Sequence, residues 1–134
     1  MALRQDPKLA DFAGLCRRNA LHVLRLAWTT QPQIGFDNAG VRWLDRYINS
    51  ARDHLNPEMS DEFVHLMGCF YGECLIAVFG GRWEWSGEQL GIKVDELGFT
   101  YPFNAVEKQL GAGQRASISI AFATAVEHAG VAAA

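Results

Sequence analysis

The chain has 134 residues and a formal net charge of −3, with 49% apolar and 20% charged residues. These values fit a single folded domain over residues 1–134 and exclude an intrinsically disordered chain. The acidic balance, with no lysine- or arginine-rich run, argues against nucleic-acid binding. Three cysteines without CxxC spacing predict neither a disulfide framework nor a zinc ribbon.

The start of the chain shows no signal-peptide pattern, because no basic segment followed by an apolar one is present. The apolar run at residues 63–79 is too short for a membrane span of about 20 residues, and it includes His65 and Glu73. The odd number of cysteines favours a reducing compartment. We therefore expect a soluble, cytoplasmic protein with no membrane partner.

Apolar periodicity predicts two helices in the N-terminal half. Asp6 and Pro7 are typical of an N-cap and a first helical position, and helical spacing continues from there to about Trp28. Asp37 predicts the cap of a second helix, with charged residues such as Asp45 on its exposed face. The buried stripe of that helix is predicted at Val41, Leu44, Ile48, Ala51 and Leu55.

A third helix is predicted at about residues 60–79, and either Asn56 or Ser60 can cap it. Its apolar residues occupy every sector of the helical wheel, which is typical of a helix at the centre of a domain. Gly68 and Gly72 lie about one turn apart, and we expect them to let a neighbouring backbone approach closely. Gly80 and Gly81 predict the end of this helix.

A small antiparallel sheet of two or three strands is predicted at about residues 82–101. The apolar period changes there from 3.6 to 2, and Trp83 and Trp85 share one face of the first strand. Two more helices are predicted after the sheet, at about 102–110 and 116–129. The predicted fold class is therefore α+β, a helical body with a central buried helix, a small sheet and two final helices.

The C-terminal half carries a glycine-rich GxxxGE helix, a Trp-bearing hairpin and a PFNxVxKxL helix. The matching residues are Gly68, Gly72, Glu73, Gly81, Trp83, Pro102, Phe103, Asn104, Val106, Lys108, Leu110, Ser117 and Ile118. This order resembles families of small, uncharacterised bacterial domains, over about residues 60–122. The resemblance implies a small stand-alone bacterial protein of a kind found in part among toxin-immunity loci, although likeness of family does not fix function.

Glu73 is an isolated carboxylate in the otherwise apolar and aromatic stretch from residue 68 to 85. An unpaired charge is costly to bury, so Glu73 must lie at the edge of the core, have a partner or belong to a site. The structural hypothesis is that it accepts hydrogen bonds from an indole N–H of Trp83 or Trp85, from backbone N–H groups or from an arginine. The functional hypothesis makes it the polar anchor of a Trp- and Tyr-lined pocket.

Four side chains that can bind metals recur at intervals of four residues on the third helix: Asp61, His65, Cys69 and Glu73. His65 and Cys69 are the candidate zinc ligands, and the alternative is that both are packed side chains in or near the core. A cysteine nucleophile is not supported by any local base signature. No nucleotide-binding or hydrolase motif is present, so no cofactor is predicted.

The small size, the acidic balance, the single domain and the absence of a catalytic motif predict a non-enzymatic interaction protein that binds a cognate protein partner. The resemblance implies that it is bacterial and that it serves as an immunity or accessory protein. Trp83 favours a core position, whereas Trp85 suits the core and an interface equally. The competing interpretation is a small-molecule or metal-binding domain, or a modest enzyme, with its site between the third helix and the sheet. The candidate binding residues are Glu73, Trp83, Trp85, Tyr101 and the acidic side chains around the sheet, Glu84, Glu88, Asp95 and Glu96.

Overall fold

The structure, a computed structural model, describes residues 7–95 and 97–130. Within this part of the chain, the fold consists of five α-helices and a three-stranded sheet, which confirms the predicted α+β class. The N-cap predicted at Asp6 lies outside the described residues, and the second helix ends before Leu55. The elements are α1 (Pro7–Trp28), α2 (Asn38–Ala51), α3 (Pro57–Phe79), β1 (Arg82–Ser86), β2 (Gln89–Val94), β3 (Gly98–Thr100), α4 (Pro102–Ala112), a 3-10 turn (Gly113–Ala116) and α5 (Ile118–Ala129).

Side-chain caps determine where α2 and α3 begin. The Asp37 carboxylate accepts a hydrogen bond from the backbone N–H of Gly40 at 2.9 Å, as predicted for the cap of α2. Asn56 caps α3 in the same way, because its side chain accepts a bond from the Met59 N–H at 2.9 Å. As a result α3 begins at Pro57 and not at about residue 60.

The helix α3 lies at the centre of the fold, as its apolar wheel predicted. Every residue from Met67 to Leu75 is buried, and the helix packs against α1, α4 and β2. It ends before Gly80, which has a φ of 75°. The 23 residues of α3 make it longer than the run at 63–79 suggested, and long and apolar enough to cross a membrane. Half of its most apolar 18-residue stretch is buried. The core helix of a soluble protein can have the same length and composition, so these features are weak evidence for a membrane span.

The two glycines of the GxxxG pattern receive aromatic rings. A Cβ at Gly68 would overlap the ring of Phe103, and a Cβ at Gly72 would overlap the indole of Trp83. The expectation that another backbone approaches these glycines is therefore wrong. The missing side chains instead leave the flat spaces in which two large rings pack against α3.

The sheet has the strand order β1-β2-β3, and both pairs of strands are antiparallel. Trp83 lies opposite Ile92, and Trp85 lies opposite Leu90, so these four side chains share the face of the sheet turned toward the helices. A two-residue turn at 87–88 joins β1 to β2. This register places the two tryptophans next to each other on the face of the sheet that is turned toward the helices.

A buried polar network joins α2 to α4 and α5. Asp45, which was expected on the exposed face of α2, is buried and accepts a hydrogen bond from the Ser117 hydroxyl at 3.0 Å. Gln109 donates to the Asp45 carbonyl oxygen at 3.1 Å and accepts from the Ile118 N–H at 2.9 Å. The expectation for Asp45 is wrong because α5 covers this side of α2, and periodicity within one helix does not show what packs against it.

Candidate binding groove

Glu73 and Trp83 hold the β1–β2 hairpin against α3. The indole Nε1–H of Trp83 donates a hydrogen bond to Glu73 Oε2 over 3.0 Å, and both side chains are buried. The other carboxylate oxygen, Oε1, accepts a bond from Arg17 of α1 at 3.4 Å. This confirms the predicted hydrogen bonds from a tryptophan indole and from an arginine. Glu73 is therefore a paired carboxylate that joins α1, α3 and β1.

A groove of about 390 Å³ lies where α1, α3, α4 and the hairpin meet. Its aromatic walls come from each of these regions, and we call the space the acidic groove. His65 stacks on Phe103 with 5.6 Å between ring centroids, and Phe12 meets both rings edge-on. The rings therefore hold one another in place. The five aromatic lining residues are Phe12, His65, Trp85, Tyr101 and Phe103.

The acidic groove takes its charge from Asp61, in the N-terminal part of α3, and Glu88, in the hairpin turn. Among the residues that the structure describes, no lysine or arginine lines this groove. The ion pairs of the described chain involve neither carboxylate. The groove therefore has a net negative charge without an internal counter-ion. The remaining lining residues are Val64, Gln89, Leu90 and Asn104.

Trp85 is the most exposed of the aromatic residues that line the groove. It lies on the same face of β1 as Trp83, yet 45% of Trp85 is exposed against 6% of Trp83. Trp83 is covered because it stacks on Phe103 at 5.5 Å and meets Phe12 edge-on at 6.4 Å. Trp85 is two residues closer to the hairpin turn, where the helical layer no longer covers the sheet. The core position predicted for Trp83 is confirmed, and Trp85 presents its indole to the groove.

Tyr101 crosses the outer face of the sheet to reach β1. Its hydroxyl donates a hydrogen bond to Ser86 Oγ at 3.0 Å. Its ring lies against Gly91 of β2, where a side chain would collide with it. Phe99 stacks on the same ring at 6.0 Å. The ring of Tyr101 is therefore held on the face of the sheet opposite to Trp85, although the residue also lines the groove.

The other acidic candidates lie away from the groove. Glu84 is on the outer face of the sheet, and its carboxylate pairs with Arg82 at 2.9 Å. Asp95 follows β2 at an exposed position, and Glu96 lies outside the described residues. Of the described members of the predicted acidic set, Glu88 alone lines the groove.

His65 and Cys69 are neighbours, and their surroundings are those of packed side chains. His65 Nε2 lies 3.7 Å from Cys69 Sγ and 3.2 Å from Asn19 Nδ2. In the two described ranges, no three His, Cys, Asp or Glu side chains come together as they do around a metal ion. The predicted stripe is divided, because Asp61 and His65 line the groove while Cys69 and Glu73 are buried in the core.

Two buried thiols and one phenol, those of Cys16, Cys74 and Tyr71, are held in their protonated forms. A hydrogen bond with Cys69, together with burial, raises the pKa of the Cys16 thiol. Burial raises the pKa of Cys74 well above its usual range and also raises the pKa of the Tyr71 hydroxyl. A nucleophilic cysteine needs the opposite, a lowered pKa and an accessible sulfur. Cys16 and Cys74 therefore do not have the properties of catalytic residues.

A second groove, of about 530 Å³, lies between β3, α4 and α5 and shares Tyr101 and Asn104 with the first. Its charged lining residues are Lys108 and Arg115, so its charge is opposite to that of the acidic groove. Among the described candidate residues it contains Tyr101. Of the predicted binding residues, Trp85, Glu88 and Tyr101 line the acidic groove, whereas Glu73 and Trp83 are buried beside it in the core.

Sequence reasoning did not bring Phe12, Asp61 and Phe103 into one site. The spacing of Asp61 and His65, one turn apart on α3, was the signal that could have linked the groove to this helix. No protein-family model matches the chain, and comparison with curated proteins and with solved structures finds no significant match. The resemblance to small bacterial domains therefore stays a prediction.

Proposed function

We propose that this chain is a non-enzymatic interaction protein that binds a cognate protein partner through the acidic groove, as an immunity or accessory protein of the bacterial cytoplasm. The observation that carries the proposal is an exposed indole, Trp85, beside two carboxylates, Asp61 and Glu88, that have no ion-pair partner among the described residues. Tryptophan is one of the residues that most often dominate the binding energy of an interface. An acidic rim speeds association with a basic partner.

The walls of the groove are held in fixed positions, and this favours tight binding. Phe12, His65 and Phe103 pack against one another, and Tyr101 is bonded to Ser86. Walls that are already fixed lose little conformational entropy when a partner binds. Most of the ordering cost then falls on the partner, which favours a groove of this kind as a binding platform.

The state of the cysteines favours a binding protein of a reducing compartment over an enzyme with a catalytic cysteine. All three are free and buried. Free thiols are usual in cytoplasmic proteins. The raised pKa values of Cys16 and Cys74 keep two of these sulfurs protonated and therefore weakly reactive.

The test is capture of the partner from a lysate of the native host, with the wild-type chain and a Trp85→Ala/Glu88→Lys double variant as baits. We expect a protein that the wild type enriches and the variant loses, because the variant removes the indole and reverses one charge. Leu26→Ala is the matched control, since Leu26 on α1 is 44% exposed and lies outside the groove, and it should retain the partner. Identical capture by all three baits, or no capture, contradicts the proposal.

A small-molecule ligand is the second function that the groove supports, because about 390 Å³ lies within the usual size of ligand pockets. Native mass spectrometry of protein purified from its host measures any bound mass. A ligand that accompanies the wild type and is lost from Trp85→Ala, together with a negative capture experiment, would replace the protein partner as the proposed function.

A further inference from the structure

We propose that the acidic groove receives an arginine side chain of the protein partner, an inference that rests on the proposed function. The guanidinium stacks on the exposed indole of Trp85 and pairs with the carboxylates of Asp61 and Glu88. The partner is therefore a protein that presents an exposed arginine at the centre of its contact surface.

The charge of the groove selects a cation. Asp61 reaches the groove from α3 and Glu88 reaches it from the hairpin turn, so two negative charges from separate elements share one space. No described lysine or arginine lines this space, and the described ion pairs leave both carboxylates without a partner. Two uncompensated like charges repel one another, and a cation between them removes this repulsion and adds attraction.

The aromatic walls select arginine over lysine. A cation over an aromatic face is attracted by the ring quadrupole, most strongly by tryptophan. The planar guanidinium stacks on such a face while its N–H groups meet carboxylates at its edge, whereas an ammonium is compact and strongly hydrated. Trp85 is nearly half exposed, and the stacked pair of His65 and Phe103 forms another wall of the same groove. Flat walls and separate carboxylates together fit a flat, branched cation.

The experiment follows the indole N–H signals of the four tryptophans in the ¹⁵N-labelled full chain by NMR. The protein is titrated with N-acetyl-arginine amide at constant ionic strength, and Trp85→Phe assigns the signal of interest. N-acetyl-citrulline amide is the matched control ligand, because it keeps the shape and lacks the charge. Trp28 and Trp43 lie outside the groove lining and serve as internal controls.

N-acetyl-arginine amide should shift the Trp85 signal saturably. The affinity for the citrulline amide should be about tenfold lower, and the affinity for N-acetyl-lysine amide about threefold lower. An Asp61→Asn/Glu88→Gln variant keeps the side-chain shapes and removes both charges, so its affinity for arginine should fall about tenfold while its thermal midpoint stays unchanged. Equal affinity for arginine and citrulline overturns the inference, as does an unchanged affinity in the double variant. The absence of a saturable Trp85 shift up to about 50 mM arginine amide overturns it too.

The titration and the capture experiment fail in different ways. If the groove captures a protein partner and the arginine titration is negative, the assignment of arginine is wrong and the proposed function stands. If capture is negative, the proposed function fails and the assignment of a partner's arginine fails with it. Tighter binding of tetramethylammonium than of arginine amide also overturns the inference, because a round cation would then fit the groove better than a flat one.

Discussion

At each end of the inner face of β1, a tryptophan stands beside a carboxylate. At the closed end, formed by Trp83 and Glu73, the indole is buried and its N–H is accepted by the carboxylate. At the open end, formed by Trp85, Asp61 and Glu88, the indole is nearly half exposed and the carboxylates have no ion-pair partner among the described residues. The same residue types thus serve as a structural contact at one end and form the proposed binding surface at the other.

The difference follows from the extent of the helical layer. Buried polar groups need partners, because an unsatisfied one loses its hydration without compensation. Where α1, α3 and α4 cover the strand, Trp83 and Glu73 satisfy one another. Where the hairpin turn extends beyond the helices, water can hydrate Glu88, so its carboxylate can stay free for a ligand. Changes at the two ends should therefore affect different properties.

Truncation at the closed end should have the largest effect on stability. The indole of Trp83 fills the space above Gly72 and stacks on Phe103, so Trp83→Ala should lower the free energy of unfolding by about 3–5 kcal/mol. Equilibrium urea unfolding measures this loss. Trp83→Phe retains a ring in the same place and should lose less. Equal stability of wild type and Trp83→Ala would show that the closed end is not part of the core.

Removal of the acceptor at the closed end should have the next largest effect. Glu73→Ala leaves the buried indole N–H of Trp83 without a partner, which should cost about 1–3 kcal/mol. Glu73→Gln retains an oxygen acceptor and loses only the charge that faces Arg17, whose side chain is 64% exposed, so its cost should be about 1 kcal/mol or less. Thermal unfolding compares the two variants, with Glu84→Ala as a surface control. An unchanged midpoint in both Glu73 variants contradicts the structural role.

The thiols beside the closed end should make stability depend on alkaline pH. The pKa values of Cys16 and Cys74 are raised in the folded protein, so above about pH 8.5 the unfolded chain releases protons that the folded chain keeps. The free energy of unfolding should therefore be constant below that pH and fall above it, by about 1.4 kcal/mol per pH unit for each thiol. Urea midpoints in reductant at pH 7.5 and 10 measure the fall. Cys74→Ala should reduce the slope, and an equal slope would contradict the assignment.

Most of the backbone could be predicted from the sequence because its signals are local. The cap at Asp37, the stop at Gly80 and the alternation around Trp83 each depend on a few neighbouring residues. The start of α3 was misplaced because Asn56 and Ser60 are both good caps, and the choice between them depends on packing. Even the contact of Glu73 with an indole was predictable, since a lone buried carboxylate must find a nearby donor.

The groove could not be predicted in the same way, because its walls come from distant parts of the chain. Phe12 and Phe103 meet only after α1 and α4 pack on α3. The burial of Asp45 was not predicted for the same reason, because α5, which covers it, is remote in sequence. Periodicity gives the face on which a side chain lies, but it does not give the extent to which another element covers that face. This is why the sequence placed Trp83 and Trp85 on one face and favoured the core for Trp83, but could not decide the exposure of Trp85.

Truncation at the open end should have the smallest effect on stability and the largest on binding. Trp85→Ala removes a side chain that is 45% exposed, so its cost should be about 1 kcal/mol or less in urea unfolding, well below the cost of Trp83→Ala. The same protein sample should lose the captured partner and the saturable response to arginine amide, because the indole is the proposed main contact of the groove. The contrary result is that Trp85→Ala unfolds as readily as Trp83→Ala and still binds the partner. The closed and open ends of β1 would then form one continuous core, and the groove would not be the binding site.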